Sequence, residues 1–119
     1  MATLTPAIIA EGGVALAAVA AAGGGDQFAN PNDARTFLEV INGGAGAITV
    51  TITAQTASFN VPGRGTLTKA NGGGSVAAGA TKLFGPFAAD AFNDSSGNVQ
   101  VSYSGVTSVT VQAFRLPAP

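Results

Sequence analysis

A chain of 119 residues has room for one hydrophobic core, and folding would bury about 65% of the surface its unfolded form exposes. The formal net charge is −1 and charged residues are 9% of the sequence, against about 25% in an ordinary soluble domain, so the basic surface that binds nucleic acid is not expected. Histidine and cysteine are absent, which excludes Ser-His-Asp and Cys-His catalysis, the common zinc sites and any disulfide framework.

Residues 1–13 hold Pro6, Ile8, Ile9 and the pair Gly12-Gly13, too short and too broken for a helix. They read as an extended N-terminal arm, with residues 14–119 forming the domain proper. The apolar run Val14 to Ala22, closed by Gly23-Gly24-Gly25, is open to helix through its alanines and to strand as a short apolar run, and strand is the favoured reading. It is far short of the ~20 residues needed to span a membrane. It is not read as a signal sequence, because Glu11 precedes it and no basic residue occurs before Arg35. Asn30-Pro31-Asn32-Asp33 is a turn cluster.

The clearest pattern lies between residues 36 and 53. Ile48, Val50 and Ile52 alternate with Thr49, Thr51 and Thr53, which puts apolar side chains on one face of a strand and hydroxyls on the other. In the preceding arm Leu38 and Val40 share one face while Phe37, Glu39 and Ile41 share the other, so that strand is expected to have cover on both sides. Asn42-Gly43 and a five-residue loop through Gly46 suggest that the two arms pair as a hairpin, the glycine supplying positive φ.

From Ala54 to Ala80 the alternation loosens, and Pro62-Gly63-Arg64-Gly65 and Asn71-Gly72-Gly73-Gly74-Ser75 read as turns within a protruding loop. Thr81 to Phe87 resumes as an edge strand interrupted by Gly85-Pro86. After a turn at Asn93 to Asn98, Val99-x-Val101-x-Tyr103 and Val109-x-Val111-x-Ala113 suggest a second hairpin through Ser104 to Ser108, with Pro117 and Pro119 stopping the last strand. About seven or eight short strands separated by turns indicate an all-β chain, an antiparallel β-sandwich or jelly-roll-like single domain.

Positive chemistry is scarce. Lys69 and Lys82 have serines and threonines nearby but no Ser-x-x-Lys spacing. Asp90 and Asp94 sit beside Asn93, Gly97 and Asn98 without the spacing of an EF-hand, and turn capping accounts for them. Gly44-x-Gly46 lacks the third glycine of a dinucleotide fingerprint, and a strand follows where a helix is needed. No enzymatic activity, cofactor or metal is expected. The low charge points instead to an assembly subunit.

A wider pattern runs from Phe28 to Leu116. It comprises Arg35-Thr36-Phe37-Leu38-x-Val40-x-Asn42-Gly43-Gly44, Ile48-Thr49-Val50-Thr51, Val76-Ala77-Ala78-Gly79 leading to Gly85-Pro86-Phe87, Val101-x-Tyr103-Ser104, Thr107-Ser108-Val109-Thr110-Val111 and Arg115-Leu116. In this it resembles the head decoration, or capsid cement, proteins of tailed bacteriophages. The resemblance implies a β-sandwich homotrimer on the outer face of the assembled shell, bound to the major capsid protein at junctions between capsomers, with neither nucleic acid nor membrane as partner. A phage tail, connector or fibre component is the alternative it leaves open. On this reading Ile8 and Ile9 anchor the N-terminal arm on a neighbour, and Phe114, Arg115 and Leu116 hold the other end.

Overall fold

The computed structural model describes residues 2–31, 35–55 and 58–117, with the backbone alone at 58–59 and 67–68. The strands in chain order are β1 (Ala2–Leu4), β2 (Ala7–Ile8), β3 (Val19–Ala20), β4 (Asp26–Ala29), β5 (Thr36–Asn42), β6 (Ile48–Ile52), β7 (Ser58–Val61), β8 (Gly65–Thr68), β9 (Gly72–Val76) and β10 (Thr81–Phe84). A single helical turn, α1 (Ala89–Phe92), precedes β11 (Asn98–Tyr103) and β12 (Val109–Arg115). The chain is an all-β, sandwich-like single domain. Its first sheet has the order β1-β4-β11-β6-β9, its second the order β10-β5-β12-β2 with β3 also on β12, and β7 pairs only with β8.

Strand alternation builds the core. Leu38 and Val40 of β5 and Val109, Val111 and Ala113 of β12 point inward from the second sheet. Phe28, Val50, Ile52, Val76, Val99 and Val101 meet them from the first. Each such side chain contributes about 1.5–3 kcal/mol by leaving water. One end is plugged by aromatics, with Phe87 tilted 5.7 Å from Phe28 and edge-on at 5.8 Å to Phe92. Beside them Asn30 donates to the Phe87 carbonyl (3.1 Å) and to Asn93 Oδ1 (2.8 Å), while Asn93 Nδ2 donates to the Asn30 carbonyl. Part of the turn expected at Asn30 to Asp33, and the stop at Pro119, lie outside the described residues.

The two hairpins expected from the sequence are not hairpins. β5 pairs with β10 and β12, whereas β6 pairs with β11 and β9, so the loop between β5 and β6 crosses from one sheet to the other. The loop from β11 to β12 crosses back in the same way. Alternation reports which face is buried, and a strand crossing to the opposite sheet buries that face in the same core as a hairpin mate would. Five residues readily span the roughly 10 Å between packed sheets. The two arches lie against each other: Gly43 N donates to the Ser108 carbonyl (2.9 Å) and Ser104 N to the Thr49 carbonyl (2.9 Å). Gly43 and Gly44 suit this approach and do not have positive φ: a Cβ on either would sit tightly, 3.1 Å and 3.0 Å from the carbonyls of Ser108 and Thr107. Buried Asn42 pins its arch, donating to the Gly46 and Val76 carbonyls (2.9 and 3.0 Å) and accepting from Gly44 N (3.0 Å).

Three further segments differ from expectation. Asn71 to Ser75 is not a free turn, because Gly72–Val76 is the edge strand β9. Gly73 has φ +104°, and a Cβ there would come within 2.0 Å of the Val50 carbonyl, so the glycine permits the pairing. Of the run 14–22 only Val19–Ala20 is strand, its alanines giving a long strand little to bury. Residues 2–4 and 7–8 of the arm are paired in parallel with β4 and β12 of their own chain. The edge position expected for Thr81 to Phe87 is observed in β10.

Candidate functional site

The outer face of the first sheet is largely polar, whereas that of the second mixes polar groups with large apolar ones. On the first, Gln27 Nε2 donates to Thr3 Oγ1 (3.0 Å), and Gln100 Nε2 donates to Gln27 Oε1 (2.8 Å) and Asp94 Oδ2 (2.7 Å), linking β1, β4 and β11. Thr49, Thr51, Ser75 and Ser102 continue that face with hydroxyls. On the second, the register sets Phe37 beside Phe114, Glu39 between Gln112 and Leu83, and Ile41 between Thr110 and Thr81.

Residues 9–18 lie across this second face. Ile9 N donates to the Arg115 carbonyl (2.9 Å), Gly13 N closes a turn on the Ala10 carbonyl (2.9 Å), and Ala17 N donates to Gln112 Oε1 (2.8 Å). The segment buries Gln112 and Phe114, leaving the β5–β10 side open. What remains is a cleft of about 300 Å³ lined by Ile9, Val14, Leu16, Phe37, Glu39, Leu83 and Phe114. Leu16 and Leu83 on its rim are 71% and 63% exposed. Among the described residues Glu39 is the single charged one of the lining, and its Oε1 is enclosed by the chain itself without a hydrogen-bond partner there. Large exposed apolar side chains clustered in this way make the cleft the candidate site.

The five residues singled out in the sequence come together, although they belong to opposite ends of the chain. β2 runs beside β12 with Ala7 opposite Phe114 and Ile8 opposite Arg115, and Leu116 N donates to the Arg35 carbonyl (2.9 Å). Ile9 and Phe114 line the cleft; Ile8, Arg115 and Leu116 do not. Ile8 and Leu116 are exposed, Arg115 half-buried. Sequence reasoning missed Val14, Leu16, Phe37, Glu39 and Leu83 as members of one surface, although the two-faced pattern of β5 was the signal for it.

Elsewhere the polar groups serve the fold. Asp94 Oδ1 accepts from Ser96 N (2.9 Å) and Asn98 N (3.0 Å), and these bonds, foremost that from Asn98 and then that from Gln100, hold its carboxyl below the usual carboxylate range. Its oxygens are thus engaged by its own turn and by Gln100 of β11. Among the described residues no group of three or more His, Cys, Asp or Glu is placed to hold a metal. Tyr103 donates to Asp26 Oδ2 (2.8 Å), joining β11 to β4, and burial followed by that neighbouring carboxylate pushes the phenol's pKa well up. Among the described residues, no helix is long and apolar enough to cross a membrane. Comparison with protein-family models, with curated proteins and with solved structures finds no match.

Proposed function

We propose that this chain is a virion structural protein of a tailed bacteriophage, binding the outer surface of the assembled capsid and stabilising it by bridging neighbouring capsid subunits. The observation that carries an assembly role is the outer face of the second sheet, where Leu16, Leu83 and Phe37 surround a cleft in a molecule with few charges to keep it apart from its neighbours. The capsid as the place of assembly rests on the resemblance of the strand and turn pattern to decoration proteins.

The work so assigned is mechanical. Protein–protein contact of about 1,600 Å² in total suffices for specific docking. Several such contacts made at once by one oligomer raise the barrier to separating capsid subunits without any one being strong. The hydroxyl-rich face of the first sheet, its side-chain amides already bonded to one another, suits the side left to solvent.

Copy number per major capsid subunit in purified particles, measured by quantitative mass spectrometry, tests the reading. A ratio close to one is expected. A handful of copies moves the protein to the tail, connector or fibre, and absence from particles overturns the virion assignment.

A further inference from the structure

The cleft on the second sheet states what its occupant must supply. Its walls are aliphatic and aromatic, and among the described residues Glu39, half-buried, is the one charge they hold. A carboxylate set among apolar walls is best met by a partner that carries apolar surface together with a cation.

The chain carries five lysines and arginines. Lys69 lies over the Phe92 ring, 4.7 Å from its centroid, and donates to the Ala70 carbonyl. Lys82 lies over Phe84 and donates to the Ser75 carbonyl. Arg35 donates to the Pro117 carbonyl, and Arg115 is likewise engaged. Arg64 differs: it is exposed at the tip of the β7–β8 hairpin and, among the described residues, its side chain has no partner.

That hairpin is itself unusual. Its ladder pairs Ser58 with Thr68 through Val61 with Gly65, closed by Arg64 N donating to the Val61 carbonyl (2.9 Å), and it joins neither sheet. A two-stranded ribbon on its own is marginal in water and gains from being covered. Its tip sets Val61 and Pro62 beside Arg64, apolar surface next to a cation. A guanidinium can pair with a carboxylate while its flat face lies on an aromatic ring, and the cleft offers Glu39 with Phe37 and Phe114.

We propose that the β7–β8 hairpin of one copy seats in the second-sheet cleft of the next, with Arg64 paired to Glu39. No described residue of the hairpin lines the cleft of its own chain, so the contact is head-to-tail, and it closes into a ring where the rotation between copies allows. This deepens the assembly reading of that face by naming its occupant, and it does not depend on the capsid.

The test uses the isolated full-length protein. Light scattering after size exclusion should show an oligomer. Arg64→Ala and Glu39→Gln should each weaken it by at least about 30-fold in dissociation constant, as loss of one partner of an enclosed charge pair does. The exchange Glu39→Arg with Arg64→Glu should recover much of that loss. Because the chain has no cysteine, mixing a Pro62→Cys variant with a Leu83→Cys variant and oxidising should give a disulfide-linked heterodimer. A wild type monomeric at every attainable concentration, or an oligomer indifferent to both single substitutions and giving no heterodimer, overturns the hairpin as occupant. Either result leaves the copy-number experiment to decide the virion role separately.

Discussion

The outer faces of the two sheets are built on the same core and by the same alternation, yet they prepare the molecule for different surroundings. On the first sheet most outward residues are hydroxyls or amides, and amides bond one another across strands through Thr3, Gln27 and Gln100. On the second, outward positions set Phe37, Ile41, Leu83 and Phe114 among Glu39, Gln112, Thr81 and Thr110, and the chain lays residues 9–18 over part of them. The difference shows that a sandwich strand can be two-sided without being central to a larger sheet: β5 has a core on one side and a cleft with an exposed apolar rim on the other.

The largest effect that could break this comparison is predicted at the rim of the first sheet. Gly73→Ala places a Cβ on top of the Val50 carbonyl, so β9 must leave the sheet, lowering the unfolding free energy by about 3 kcal/mol or more in urea titration. A smaller loss would show that the edge of the polar sheet is optional. Next, Leu16→Asp with Leu83→Asp should abolish self-association while changing stability by no more than about 0.5 kcal/mol, as surface substitutions do. Thr51→Asp with Ser102→Asp on the other face should leave association unaltered. If the two pairs behave alike, the contrast between the faces has no functional content.

Tyr103→Phe should cost about 1–3 kcal/mol, because Asp26 Oδ2 loses its hydroxyl donor and keeps only Ala22 N at 3.3 Å. The pH dependence has a definite sign. The folded phenol is raised above its ordinary 10.0, so it holds its proton where the unfolded chain has released it. The resulting stabilisation is complete below pH 10 and is lost as pH rises beyond it. Urea midpoints between pH 8 and 11 should therefore fall more steeply in the wild type than in the variant. The smallest effect is expected at Asp94, where the lowered carboxyl contributes stability above its ordinary 3.8 that disappears as pH falls through the folded value. Melting temperatures from pH 5 to 2.5 should drop less for Asp94→Asn than for the wild type.

The strands were readable because alternation is a local property: Ile48, Val50 and Ile52 announce a buried face whichever strand lies beside them. Their partners were not, since a hairpin mate and a strand across the sandwich satisfy the same pattern. Glycine misled for a related reason. Gly43 suggested a tight turn, but what it suits is the close approach of the Ser108 carbonyl, and that neighbour is far away in sequence. Of the contact surface, the outward row Phe37, Glu39 and Ile41 was legible as a second face needing cover. Leu16 and Leu83 could be joined to it only once the course of residues 9–18 and the position of β10 were known.

The place of β12 governs the order in which the molecule can be made. It is the last strand in sequence, yet it lies within the second sheet, beside β5 and with β2 and β3 along its other flank. Until a ribosome has delivered residues 109–115, β5 lacks that neighbour, and β2 and β3 lack the strand they pair with. The second sheet therefore closes only after those residues have been made. The delay is consistent with the slow folding expected when most pairings join distant parts of a chain, and a chaperone's help would matter most in the interval before β12 arrives.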